Sequence, residues 1–191
     1  MQALRRKGLL RLAGWARVFG AKAVAQRMLE TLRDEYPDDP AVLVQLGFHY
    51  AEEKRWREAL ALMTRAAERK PGDAEIVFNR AYLMQQLNDH HGAIEAFRAA
   101  LAANPDHDRA LYGLALSLIA LRRLDEAVAP LERNTKLQPM SPYGWYQLGR
   151  VQFDRGKPEK TEAIIAHLAK FEPKVAAQLA RETGFPPPPR P

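Results

Sequence analysis

Five prolines, Pro37, Pro71, Pro105, Pro139 and Pro173, stand 34 residues apart. A spacing held over four intervals means that one structural unit is repeated, because a chain that repeats its breakers also repeats what lies between them. With each proline taken as position 32, the units run 6–39, 40–73, 74–107, 108–141 and 142–175. In this frame position 20 reads Ala25, Ala59, Ala93, Ala127 and Thr161, and position 8 reads Ala13, Gly47, Ala81, Ala115 and Gly149. Position 24 reads Leu29, Met63, Phe97, Leu131 and Ile165, and position 4 reads Leu9, Leu43, Val77, Leu111 and Trp145. Small residues recur where two helices must approach, and large apolar ones where a gap must be filled.

These marks carry a family resemblance. Unit 2 holds Leu46-Gly47, Tyr50, Ala59, Ala66 and Pro71; unit 3 holds Ala93, Phe97, Ala100 and Pro105; unit 5 holds Trp145, Leu148-Gly149 and Pro173. The chain resembles tetratricopeptide repeat (TPR) proteins over residues 6–175. The resemblance implies an all-α chain, a right-handed α-solenoid of about five 34-residue helix-turn-helix repeats. It departs from the family pattern at Arg80, Asn134, Thr161 and Leu168, and the first unit is the least orthodox.

Helices are expected near 6–19, 40–53, 56–69, 74–87, 90–103, 108–121, 124–137, 142–155 and 158–171, with Asp73 and Asp108 as N-caps. The domain reading is one repeat domain over 1–183, in which a cap helix at 174–183 covers the apolar end of the last unit. Residues 184–191, Gly-Phe followed by prolines, read as a disordered polyproline II tail.

Composition narrows the function. The 191 residues hold no cysteine, so neither a disulfide nor a thiolate metal site is available. Uncharged stretches such as 110–121 and 137–149 are well short of the roughly 20 residues a membrane span needs. Net charge is +6, yet Arg5, Arg6, Lys7, Arg11, Arg17, Lys22 and Arg27 all precede the first acid, Glu30. The rest of the chain is within one charge of neutral. Nucleic-acid binding is therefore disfavoured for the array as a whole, and any contact with an anionic membrane belongs to the N-terminal segment. A cytoplasmic location is expected, because Arg11 and Arg17 interrupt any signal-peptide core.

Chemistry is sparse. His90 and His91 are adjacent, so on a helix they point about 100° apart and chelate poorly. No phosphate loop, nucleophile motif or convergent carboxylate pair is present. The reading is a non-enzyme with no cofactor and no metal.

Positions 2, 5, 9 and 12 of each first helix form a stripe distinct from the packing positions 4, 7, 8 and 11. Seven of the thirteen Phe and Tyr residues fall on it, where a solvated face would be polar. The family resemblance implies that this stripe lines a concave groove. The candidate peptide-binding residues are Phe48, Phe78, Asn79, Tyr82, Arg109, Tyr112, Tyr143, Tyr146, Arg150 and Phe153, with Arg109 and Arg150 available to an acidic group. The competing reading makes part of the stripe, Leu116 and Ile119 above all, simple core. The family's clamp for chaperone C-terminal tails corresponds to Val44, Phe48, Asn79, Arg109 and Gly113; only Asn79 matches, which points to a more apolar peptide.

The function expected is a non-catalytic interaction scaffold or adaptor, chaperone-like in its groove, whose partner is a peptide segment of another protein. The alternatives are a self-assembling homo-oligomeric module and a basic N-terminus resting on an anionic membrane.

Overall fold

A computed structural model of the protein describes residues 2–186. All the described regular structure is helical: α1 (Gln2–Val18), α2 (Lys22–Glu35), α3 (Pro40–Glu52), α4 (Trp56–Arg69), α5 (Ala74–Gln86), α6 (His90–Ala103), α7 (Asp108–Ala120), α8 (Leu124–Leu137), α9 (Pro142–Asp154), α10 (Pro158–Leu168) and α11 (Pro173–Thr183). The helices fall into two compact units. Met1–Ala103 contains three helical hairpins, α1–α2, α3–α4 and α5–α6. Asn104–Pro191 contains α7–α8, α9–α10 and the closing helix α11.

The 34-residue period reappears in the backbone. Pro37, Pro71, Pro105 and Pro139 each sit in a turn ahead of a helix, whereas Pro173 is itself the first residue of α11. Position 34 closes these turns, its N–H donating three residues back: Asp39 to Tyr36, Asp73 to Lys70, His107 to Asn104 and Ser141 to Gln138, at 3.0–3.2 Å. At the first three of these positions, though not at Ser141, the side chain also caps the following helix. Asp39 accepts from the N–H groups of Ala41 and Val42, and Asp73 from that of Ile76. In the fourth repeat the cap is His107, whose Nδ1 accepts from the Ala110 N–H at 3.3 Å, and not Asp108 as the sequence suggested. Asp108 is already helical, one step past the cap register, and its carboxylate accepts from Gln138 Nε2 at 3.0 Å.

Inside the hairpins, position 15 is left-handed in every repeat. Gly20, Lys54, Asn88, Arg122 and Gly156 all have φ between 58° and 79°. Three residues separate the two helices of each hairpin, and the chain reverses through the middle one at positive φ, which glycine and asparagine adopt with least strain.

Positions 8 and 20 are buried in all five repeats, and the large side chains at position 24 fill the space beside them. A Cβ on Gly47 would stand 3.0 Å from Met63 Cε, so glycine admits the methionine there. Two of the departures from the family pattern, Asn134 and Thr161, are locally compensated. Asn134, in place of alanine, donates from Nδ2 to the Asp108 carbonyl at 2.9 Å. Gly144 makes room for it, since a Cβ there would collide with Asn134 Oδ1. Thr161 is fully buried, and its hydroxyl donates to the carbonyls of Gly149 and Lys157, each at 3.3 Å.

Helix α11 covers the end of the last hairpin with Ala176, Leu179, Ala180 and Thr183, all buried. Leu179 lies directly over Gly149, where a Cβ would be 2.5 Å from Leu179 Cδ2. Gly184, at φ 76°, ends the helix, and the Phe185 N–H returns to the Ala180 carbonyl at 2.9 Å. The prolines of the expected tail from Pro187 onward lie outside the described residues.

Candidate peptide-binding faces

The stripe on the first helices is graded in exposure. Position 2 is the outermost: Tyr143 is 70% exposed, and Glu75 and Arg109 are exposed as well. Position 5 stands next to packing positions 4 and 8 and sinks furthest. Phe78 shows the extreme. It is 8% exposed and packs on Phe97 of α6, with ring centroids 5.9 Å apart, so it belongs to the interior of the α5–α6 hairpin. Leu116 and Ile119 are half-buried.

In the first unit, Phe48 joins two depressions. One, of about 380 Å³, lies between α3 and α5, with Val44, Phe48, Glu75 and Asn79 on its walls and Lys70 and Asp73 at its rim. The other, of about 350 Å³, is bounded by Phe48, Tyr82, Trp56, Arg17 and Glu52. Arg17 reaches Glu52 at 3.5 Å across α1 and α3. Trp56, Arg17 and Glu52 fall outside the sequence-derived stripe, because they come from α4, from the first repeat and from the end of α3.

In the second unit, the structure brings Tyr112, Tyr143 and Tyr146 together around a pocket of about 240 Å³, closed by Pro142, Gln147, Val175 and Gln178. Burial raises the Tyr112 phenol above its ordinary value, so it stays neutral at any physiological pH. Arg150 is partly exposed but engaged. Its Nη1 donates to Glu182 Oε2 of α11 at 2.8 Å and to Tyr146 Oη at 3.4 Å. Tyr146 in turn donates to Glu182 Oε2 at 2.6 Å, and Gln178 Nε2 donates to Glu182 Oε1 at 2.9 Å. The hydrogen bonds from Tyr146 and Gln178, with help from Arg150, hold the Glu182 carboxyl below its usual range. The arginine charge is thus answered within the chain, and the tyrosine pocket beside it is apolar in its walls and neutral overall. Phe153, 39% exposed, lies near the far end of α9, and Arg109 lies on the outer side of α7.

Sequence reasoning missed Gln178 and Glu182. Their signal was present: Val175, Gln178 and Glu182 are spaced three and four apart, one face of α11, beside the apolar face that covers the core. Among the described residues no group of three or more His, Asp or Glu side chains is arranged to hold a metal ion, and no helix is long and apolar enough to cross a membrane.

Two tetratricopeptide repeat family models match consecutive parts of the chain, at residues 21–77 and 78–133. Tetratricopeptide repeat protein 33 of Mus musculus is 26% identical over 121 residues, which is 63% of this chain and 46% of that protein. The chain therefore spans about half the length of this relative. Among solved structures, a tetratricopeptide repeat protein from Parabacteroides merdae superposes with a TM-score of 0.81 at 22% identity, covering 94% of this chain and 73% of the other. YrrB, described as a TPR protein with an unusual peptide-binding site, gives 0.79 at 15%, covering 92% and 90%. MamA from Desulfovibrio magneticus gives 0.77 at 18%, covering 93% and 96%. At these identities the structures speak to the fold. The consecutive family matches, the recurrent hairpins and the 34-residue period together make this chain a member of the tetratricopeptide repeat family.

Proposed function

We propose that the protein is a non-catalytic interaction scaffold, and that the tyrosine pocket of α7, α9 and α11 receives an apolar side chain from a peptide segment of a partner protein. The observation that carries this reading is the convergence of Tyr112, Tyr143 and Tyr146 on one concavity beside Arg150, a cation that already has Glu182 as its counter-charge. Tyrosine offers a large apolar area with a polar tip at low entropic cost, which suits recognition of an extended segment. A free carboxylate would have to displace Glu182, so an acidic terminus is disfavoured at this pocket. The description of YrrB as a peptide-binding TPR protein supports the class of function. The depressions around Phe48 are a second candidate contact in the first unit.

The test is capture of partners by the wild-type chain beside a Tyr112→Ala/Tyr146→Ala variant with an unchanged circular dichroism spectrum, at low and high salt. A partner held at high salt by the wild type and lost by the variant supports the reading. Equal capture by both proteins, or capture at low salt alone, refutes it.

A further inference from the structure

Helix α1 has two faces, and the chain uses only one. Ala13 is buried against the rest of the first unit, with Leu9 and Leu10 half-buried beside it. The opposite face carries Leu4, Leu12, Trp15 and Val18, and Phe19 follows in the turn. Trp15 is 59% exposed and Phe19 77% exposed, their rings stacked at 5.7 Å and 18°. At about 100° per residue, Leu4, Lys7, Arg11, Trp15 and Val18 share one outward sector.

The seven cations that precede Glu30 divide in a way that composition alone does not reveal. Three turn back onto the protein. Arg6 pairs with Asp39, Arg5 with Glu35 at 3.5 Å and Arg17 with Glu52 at 3.5 Å. The other four, Lys7, Arg11, Lys22 and Arg27, are exposed and have no acidic partner among the described residues. Lys7 and Arg11 are interspersed with the apolar row, and Lys22 opens α2 just beyond Phe19. No acid lies on α1 at all.

We infer that this outward face of α1 docks on an anionic lipid bilayer. Trp15, Phe19 and Leu12 would enter the headgroup region, where an amphipathic ring is favoured, while Lys7, Arg11 and Lys22 face the lipid phosphates and carboxylates. Nucleic acid would satisfy the cations but leave the row of Leu4, Leu12 and Val18 in water. A second copy, near neutral beyond residue 29, has no net charge to attract the cations, and its docking is an outcome of the test below. The inference concerns a different face from the tyrosine pocket and does not depend on the peptide reading.

Co-sedimentation of the full chain with vesicles tests it, using phosphatidylcholine alone and phosphatidylcholine with about one third phosphatidylserine, at low and high salt. Binding is expected to the anionic vesicles only. Lys7→Glu/Arg11→Glu should weaken it more than tenfold, at roughly fivefold per cation lost. Trp15→Ser/Phe19→Ser should also weaken it more than tenfold, and both variants alter exposed positions so that thermal melting stays unchanged. Tyr112→Ala/Tyr146→Ala should bind vesicles like the wild type. Equal capture by neutral vesicles overturns the inference, as does insensitivity to either N-terminal variant. Lipid-independent dimerisation that the Trp15→Ser/Phe19→Ser variant abolishes overturns it too, because a second copy would then own the face.

Discussion

The Tyr146 hydroxyl lies 2.6 Å from Glu182 Oε2, a link between α9 and the closing helix across 36 residues of chain. It makes the fit of α11 sensitive to acid. The Glu182 carboxyl is held below its usual value near 4.5, so its contribution is present above the unfolded-state value and is lost as pH falls through the lower folded-state one. Glu182→Gln should therefore melt slightly below wild type at neutral pH, by about 0.5–1 kcal/mol for a pair this exposed. The difference should narrow as pH falls below the ordinary glutamate value and vanish below the lowered folded-state one. Thermal melts of both proteins from neutral pH into acid check this; a gap that does not narrow toward acid would mean that the carboxylate charge is not the cause.

The left-handed turns predict substitutions that improve the protein. Lys54 and Arg122 occupy a conformation that favours glycine, at φ 60° and 58°. Lys54→Gly and Arg122→Gly should each stabilise by up to about 1 kcal/mol, the relief of strain exceeding the added freedom of the unfolded chain. Gly156→Ala should destabilise by about 1 kcal/mol for the converse reason. Chemical denaturation midpoints read all three.

Leu179 is the anchor of the closing helix. Fully buried over Gly149, it should cost about 2–5 kcal/mol when truncated to alanine. Gly149→Ala attacks the same contact from the other side and should cost about 1–3 kcal/mol through overpacking. Combined, the two changes should cost less than their sum, because the alanine methyl enters space that the leucine vacates. Strict additivity in a double-mutant cycle would argue against direct contact.

Position 34 makes a similar prediction for helix starts. Asp73→Ala removes the acceptor for the Ile76 N–H and should cost about 1 kcal/mol, whereas Asp73→Asn should cost much less. Hydrogen exchange in the first turn of α5 would localise the effect.

The architecture was largely legible because a solenoid is written in small and large residues at a fixed interval, and the period places each helix to within a few residues. Helix α10 ended early, at Leu168, and Pro173 began α11 where the period anticipated a turn. The faces were less legible. Phe78 and Tyr112 both stand at position 5, yet one meets Phe97 inside a hairpin and the other borders a pocket, and that depends on which side chain lies across from it. Arg150 read as an open cation because its partner, Glu182, lies 32 residues away on a helix outside the repeat frame. The cap at His107 was hidden for a simpler reason: histidine is a rare capping residue, and the aspartate beside it was the more obvious candidate.

Asn134 and Gly144 carry a consequence for how such a chain can change. An asparagine where the family has alanine needs a glycine on the helix that follows, so repeats four and five are matched to each other. Most TPR units behave as interchangeable bricks, but these two are keyed. A copy of repeat four inserted ahead of any unit with a Cβ at its third position would meet a steric refusal, which confines growth of this array by duplication to its other junctions.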